Sequence, residues 1–184
     1  FGHMVELAPP EAYLTEEQNK GDVFSYLPLF PAKFIRQPKS ERGKDGKIRT
    51  DRAGKPMPIP QFTKMAELAL GAKEIVNAGD TDREGQLIVD EFLEFIGLDP
   101  RGGNKPVWRL ALQNPDETEI KKLVLAGLEK NSDDRWVRKS VAAYARQTGD
   151  WAVGMTGSRA FRQVTGYSKM AVGRVQTPTL AIVV

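Results

Sequence analysis

The densest chemistry in this sequence is the run Asp80-Thr81-Asp82-Arg83-Glu84-Gly85. Three carboxylates within five positions repel one another unless a cation sits among them. Magnesium suits such hard oxygen donors, taking one or two carboxylates and keeping part of its water shell. The run follows a short apolar stretch, Glu74-Ile75-Val76-Asn77-Ala78-Gly79, and precedes residues whose apolar positions recur at helical spacing. Asp80 and Asp82 at a strand end project to one side, because side chains alternate along a strand. Glu84 falls in the first helical turn behind them. Arg83 and the helix N-terminus are placed to meet a phosphate carried by the metal. Gly85 lets another backbone or a ligand come close. The same letters also suit a plain helix start: Thr81-x-x-Glu84 is a capping box, Asp82 is an accepted N-cap, and acids are favoured in a first turn. Spacing alone leaves both readings open.

These residues need a strand and a helix to hold them. The strand spans 74–79 and the helix 82–97, with Leu87, Ile88, Phe92, Phe95 and Ile96 on one face and Gly97 as its C-terminal cap. Upstream, Gln61–Ala72 reads as a helix with Phe62, Met65, Ala66 and Ala69 on one side. Downstream, Val107–Leu112 reads as a second buried strand, and Pro115 opens a helix running from about Asp116 to Leu128. Strand, helix, strand, helix predicts an α/β sheet, mostly parallel and flanked by helices. The acidic run then lies at the carboxyl end of a strand, where open sheets gather ligands. Residues 1–35 mix short apolar pieces with prolines and read as strand and loop. From Asp133 onward the pattern is helical. We divide the chain into a sheet domain, residues 1–115, and a helical segment, residues 116–184. No internal repeat is evident.

Composition narrows the class. With 184 residues and 40% hydrophobic content the chain can pack a core, and with no cysteine it has neither disulfides nor thiolate metal sites. No apolar run approaches the roughly 18 residues that cross a bilayer, and residues 1–11 lack the pattern of a secretory signal. A cytoplasmic protein without membrane contact is expected. Net charge is only +3, but Lys33, Arg36, Lys39, Arg42, Lys44, Lys47, Arg49, Arg52 and Lys55 face only Glu41, Asp45 and Asp51 in the same stretch. A basic stretch beside an acidic remainder suits a polyanion partner that also needs a cation site. Rich in Gly and Pro, residues 36–60 equally read as a mobile, solvated loop.

The helical segment carries a second set of polar residues. On a helix from Asp134 to Met155, Val137, Val141, Tyr144, Thr148, Trp151 and Met155 fall within roughly 80° at about 100° per residue. Arg135, Lys139, Arg146 and Asp150 gather on the opposite side. Arg146 and Asp150, spaced i, i+4, make at least a surface ion pair. Near the end, Thr177 reads as an N-cap and Pro178 as a first helical residue, which puts Arg174 and Gln176 just before a helix start suited to phosphate. Arg159 lies between the two groups.

The string Ala78-Gly79-Asp80-Thr81-Asp82-Arg83-Glu84-Gly85-Gln86-Leu87-Ile88-Val89-Asp90-Glu91 resembles the second acidic motif of the TOPRIM fold, in the form found in bacterial topoisomerase III. Three further stretches agree in order. Gly2-His3-Met4 resembles the family's Gly-His-Leu turn. Arg146-Gln147-Thr148-Gly149-Asp150-Trp151 with Gly154, followed by Ser158-Arg159-Ala160, resembles its Arg-x-x-x-Asp-Trp-x-x-Gly helix. Gly173-Arg174-Val175-Gln176-Thr177-Pro178 resembles its Gly-Arg-Val-Gln-Thr-Pro motif.

The resemblance to type IA DNA topoisomerases implies an isomerase that breaks and reseals single DNA strands through a tyrosyl-phosphate, with magnesium and without ATP, for relaxation or decatenation. Asp80, Asp82, Arg83 and Glu84 would be catalytic, with Asp80, Asp82 and Glu84 the metal carboxylates. Arg146, Asp150, Arg159, Arg174 and Gln176 would bind single-stranded DNA. The enzyme is expected to be a monomer, associated with the nucleoid or a plasmid and served by a helicase. The family's first TOPRIM strand, which bears a glutamate, and its nucleophilic tyrosine are expected outside this chain, which is therefore expected to be inactive alone. Tyr144 sits on the apolar stripe and Tyr167 follows Gly166 in a loop. Family members often have serine at the position of Ala171. A primase or nuclease would share the acidic run but not Gly173–Pro178; a non-catalytic DNA-binding module would need no metal.

Overall fold

A computed structural model of the chain describes residues 2–112 and 116–184, so Pro115 lies outside the described residues. The elements run β1 (Val5–Leu7), α1 (Glu16–Lys20), β2 (Arg36–Pro38), α2 (Pro60–Gly71), β3 (Ile75–Asn77), α3 (Arg83–Phe95), β4 (Val107–Arg109), α4 (Glu117–Ala126), β5 (Glu129–Lys130), α5 (Asp134–Thr165) and α6 (Gln176–Val183). This is the mixed α/β order expected, with a helical run behind it. β3 and β4 pair in parallel, Ile75 opposite Val107 and Asn77 opposite Arg109. β5 adds to β4 antiparallel, Trp108 opposite Lys130. The sequence gives no hint of β5, two charged residues whose pairing depends on β4 alone. In the other sheet β1 lies beside β2. Among the described residues no helix is long and apolar enough to cross a membrane.

The chain folds as two compact units that are discontinuous in sequence: one joins the residues up to Glu6 with Arg36–Ala143, the other joins Leu7–Ile35 with Tyr144–Val184. In the first, Met4, Val5, Phe62, Phe92, Leu93, Leu98 and Val107 form the core. Phe62 meets Phe92 edge-on at 5.6 Å between ring centres. α2 begins on Pro60, whose missing N–H is an unpaired donor anyway at a helix start, and it turns Phe62, Met65, Ala66 and Ala69 inward as expected. α3 ends where Gly97 takes φ 83° and Leu98 N–H donates to the Leu93 carbonyl at 2.9 Å. This is the left-handed stop that glycine permits.

The buried face of α3 is rotated from the apolar stripe. Leu87, Phe92 and Leu93 are buried, but so are Gln86, Asp90 and Glu91, while Phe95 is partly exposed. Partners explain it. Glu91 meets Arg36 at 3.5 Å and His3 at 3.7 Å. Asp90 meets Arg101 at 2.9 Å and accepts from Asn131 at 3.0 Å. Buried polar groups are tolerated when each finds such a donor.

The basic stretch, expected as a loop, carries a main-chain hydrogen-bond pattern of its own. A stem pairs Lys39–Glu41 with Met57–Ile59: Ile59 N–H donates to the Lys39 carbonyl at 3.0 Å and Glu41 N–H to the Met57 carbonyl at 2.8 Å. The stem then forks. Arg49 N–H donates to the Glu41 carbonyl and Met57 N–H to the Arg49 carbonyl, each at 2.9 Å, closing a triangle from which two hairpins leave. In the first, Gly43 N–H donates to the Lys47 carbonyl at 2.9 Å; in the second, Asp51 N–H donates to the Lys55 carbonyl at 2.9 Å. Gly46 (φ 77°) and Gly54 (φ 78°) turn the tips, a conformation that disfavours any side chain. Eight residues separate each pair of equivalents, so a short repeat exists here that the sequence alone does not disclose.

In the second unit Leu29, Trp151 and Ala152 pack with Leu7, Tyr13, Leu14, Tyr26, Leu27, Phe34 and Met155. Leu29 N–H donates to Thr156 Oγ1 at 3.0 Å. Residues 7–35, read as strand and loop, also form α1, whose Thr15 and Gln18 make a reciprocal capping box. α5 is longer than expected and does not bury one continuous stripe. Its first part buries Trp136, Ser140 and Ala143, its second Trp151 and Ala152, and Val141, expected on the buried stripe, is 60% exposed.

Candidate functional site

The acidic run sits where β3 ends and α3 begins. Asp82 is the N-cap of α3, its Oδ1 accepting from Gly85 N–H at 2.7 Å. The cap reading is therefore realised through Asp82, one of whose carboxylate oxygens it engages. Gly85 is needed for closeness: a Cβ there would lie 2.6 Å from the Asp80 carbonyl oxygen. The close approach is thus by backbone, that of Asp80. Gly79 is similarly confined, with the Gly85 carbonyl oxygen 2.9 Å from its would-be Cβ.

The turn is held by its main chain. Arg109 Nη2, from the end of β4, donates to the Asp80 carbonyl at 2.7 Å, and Lys139 Nζ of α5 donates to the Thr81 carbonyl. Gly79 N–H donates to Asn77 Oδ1 at 3.0 Å. The side chains of Asp80 and Asp82 are left exposed. Asp80's carboxylate makes no hydrogen bond or ion pair with another described residue, and it lies within Coulombic reach of Arg109. Arg83 is exposed and Glu84 half-buried. Among the described residues no group of three or more His, Asp or Glu side chains is arranged to hold a metal ion. The donor set present on the turn is two exposed carboxylates, the number magnesium commonly takes from a protein.

Behind the turn lies a buried polar network that the sequence reading missed. Arg109 Nη1 donates to the Asn77 carbonyl at 2.8 Å and to Asn77 Oδ1 at 3.2 Å. Asn77 Nδ2 donates to Asn131 Oδ1 at 3.1 Å, and Gln86 Nε2 donates to Asp90 Oδ1 and Asn131 Oδ1, each at 2.9 Å. Burial pushes the Asp90 carboxyl up from its ordinary value, against the opposing pull of Arg101. No local motif signals this network, because its members lie on β3, α3, β4 and the turn before α5.

His3, at the Gly-His turn, is a further neighbour of the site. Its pairing with Glu91, 3.7 Å away, with smaller Coulombic help from Glu84, raises its pKa above the ordinary 6.5 despite partial burial. A raised histidine stabilises the fold fully below its unfolded pKa and loses that contribution as pH rises through the folded value. We therefore expect His3→Gln to lose stability against the native chain at pH 5 to 6 and to close that gap above about pH 8. Urea midpoints at the two ends of this range check it; a gap that widens with pH contradicts the pairing.

In the second unit, Asp150 of α5 bridges two arginines. Arg146 Nε lies 3.5 Å from Asp150 Oδ2, and Arg174 Nε donates to Asp150 Oδ1. The Arg174 hydrogen bond, chiefly, holds the Asp150 carboxyl below the usual carboxylate range. Small residues on α5 make room for this. A Cβ on Gly157 would lie 2.8 Å from Val172 Cγ1, and Val172 N–H donates to Ser158 Oγ at 2.9 Å. The segment before α6 thus lies against α5 with Arg174 over Asp150. The Gln176 side chain folds back onto Gly173, where a Cβ would meet it at 2.8 Å. Arg159 is paired elsewhere, with Glu11. α6 starts at Gln176 with no side-chain cap. Thr177, expected as the N-cap, instead accepts from Gly173 N–H at 3.0 Å.

Residues 2–111 match the family model of the Toprim domain, and residues 136–184 match a DNA topoisomerase model. The whole chain aligns with DNA topoisomerase 3 of Vibrio cholerae at 33% identity, covering 26% of that protein. It aligns over its whole length with DNA topoisomerase 3 of Salmonella typhimurium at 33%, again covering 26%, and with that of Staphylococcus aureus strain NCTC 8325 at 32%, covering 22%. The chain thus spans about a quarter of the length of the curated relatives it matches. It belongs to the Toprim family, and the sequence that follows the Toprim domain is similar to that of DNA topoisomerases.

Proposed function

We propose that this chain is the metal-holding and strand-binding part of an enzyme that breaks and reseals single DNA strands, and that residues 1–115 and 116–184 are its Toprim and groove domains. The observation that carries the reading is the turn after β3. Its carbonyls are engaged by Arg109 and Lys139, and its two aspartates face solvent. A turn fixed through its main chain presents side chains in a set geometry, which favours binding without reorganisation.

We assign magnesium to Asp80 and Asp82, with Glu84 as a supporting carboxylate. Bound there, the ion would offset charge on the scissile phosphate and its leaving oxygen. Arg83, exposed beside them, meets the same phosphate. In the second unit, Asp150 orients the guanidinium groups of Arg146 and Arg174, and these, with Gln176 and Arg159, hold the strand through its backbone. Nucleophilic attack by a tyrosine, ATP-independent resealing, strand passage for relaxation or decatenation, a helicase partner and a monomeric, DNA-associated state are assigned to the whole protein. The chain alone is inactive in this reading.

The test is magnesium calorimetry on the chain and on its Asp80→Asn/Asp82→Asn variant. Asparagine keeps the N-cap, so α3 still starts at the same place. The native chain should release binding heat and the variant none. Superimposable traces would reduce the acidic run to a helix cap.

A further inference from the structure

The forked arm, Lys39–Ile59, has no part in the acidic turn or in the Asp150 cluster. It carries seven basic residues, Lys39, Arg42, Lys44, Lys47, Arg49, Arg52 and Lys55, against Glu41, Asp45 and Asp51. The three acids are all engaged within the arm. Glu41 pairs with Arg49 at 3.1 Å at the junction. Asp45 Oδ1 accepts from Lys47 N–H at 3.1 Å. Asp51 Oδ1 accepts from Ala53 and Lys55 N–H, each at 2.9 Å. The two tips are built alike. Each has a basic residue, two further positions with the glycine of positive φ as the second, and then a lysine: Lys44 to Lys47 in one, Arg52 to Lys55 in the other. Lys44, Lys47, Arg52 and Lys55 are exposed, and none pairs with a carboxylate of a described residue.

We propose that the fork is a second nucleic-acid site, one that grips the phosphate backbone of duplex DNA. The inference rests on the DNA reading above for the choice of polyanion. Three observations shape it. Main-chain hydrogen bonds hold both tips, so their cations are displayed on a fixed support at little ordering cost. There is no aromatic residue between Ile35 and Phe62, so the arm offers no stacking platform for unpaired bases. The tips present no large apolar side chain that would enter a lipid surface. What remains is point charge aimed outward from two prongs, which reads phosphates irrespective of sequence.

The experiment neutralises the prongs in the chain as it stands, K44Q/K47Q/R52Q/K55Q. It compares a charge-matched control, K20Q/K64Q/K73Q/K121Q, on exposed positions outside the arm. Binding to a short blunt duplex and to a single strand is followed by fluorescence anisotropy over a salt series. If each prong cation meets one phosphate, the variant's log Kd against log salt slope is shallower by about 3 to 4 and its duplex affinity falls at least about tenfold. Single-strand binding should persist, and the control should follow the native chain. A native slope in the prong variant, or an equal loss in the control, overturns the proposal while leaving the strand-binding reading intact. Failure of the native chain to bind either DNA removes that reading and this one together. Binding to vesicles of anionic phospholipid in place of the duplex would assign the fork to a membrane and overturn the proposal too.

Discussion

Arg109→Met is expected to remove about 3 to 5 kcal/mol from the first unit, the range for breaking a buried ionic network at one member. Arg109 is 1% exposed. Its guanidinium serves the Asn77 carbonyl, Asn77 Oδ1, the Leu110 carbonyl and the Asp80 carbonyl. It also lies 4.6 Å from the centre of the Trp136 ring. Methionine nearly fills the volume, so the cavity contribution is small. The loss is electrostatic: the Asp80 carbonyl loses its donor, while the Asn77 and Leu110 carbonyls and Asn77 Oδ1 each keep only a main-chain N–H, and unmade buried hydrogen bonds cost more than made ones contribute. Arg109→Lys should recover only part, because an ammonium cannot span acceptors on β3 and on the turn as a planar fork does. Urea unfolding checks both variants. A loss under about 1 kcal/mol for Arg109→Met would mean that the network does not hold the acidic turn. Because the Asp80 carbonyl is one of the four acceptors, magnesium affinity should fall in the same variant even under conditions where it remains folded.

The acidic turn was legible because its signals are local. A short apolar run, paired acids and a helical period follow one another in sequence, and each has a direct physical meaning. Gly97 was legible for the same reason, as the one residue type that stops a helix in the left-handed region without strain. Arg109 was not. Within Val107–Leu112 it reads as a polar interruption of an apolar strand, and nothing nearby announces that Asn77 and Asp80, some thirty positions earlier, need its donors. Asn131 and Gln86 were silent for the same reason. The hydrogen-bond pattern of the forked arm was not legible because sequence reasoning looks for a core. This arm has none to offer: main-chain bonds and two glycine turns hold it, and both are compatible with a loop-like composition. At Asp150 the half of the cluster within one helix, Arg146, follows from spacing. The other half, Arg174, depends on Gly157 and Ser158 letting a distant segment lie on α5, and only packing reveals that.

Trp151→Ala should cost the second unit about 3 to 5 kcal/mol, as truncating a buried tryptophan to alanine generally does. Trp151 is 9% exposed. Tyr13 stands edge-on to it at 5.3 Å and Phe34 at 5.4 Å between ring centres, contacts that add to the area buried. These two aromatics come from Leu7–Ile35, a stretch whose α1 buries no residue of its own. The indole is therefore the aromatic tie between that stretch and α5, beside the Leu29 N–H bond to Thr156 Oγ1 and the Arg159–Glu11 pair, and the aromatic triad cannot close over an alanine. Trp151→Phe keeps one ring in the gap and should lose distinctly less. Amide exchange reads the result by location. In Trp151→Ala, protection across Leu7–Ile35 should collapse first, and Ala8 N–H, which donates to the Ile35 carbonyl at 2.8 Å, is the amide to watch. Asp150 adjoins the lost side chain on the same helix, so weaker single-strand binding should accompany the change. If exchange across Leu7–Ile35 stays at the native rate in Trp151→Ala, the stretch is held by its own turns and not by the aromatic cluster.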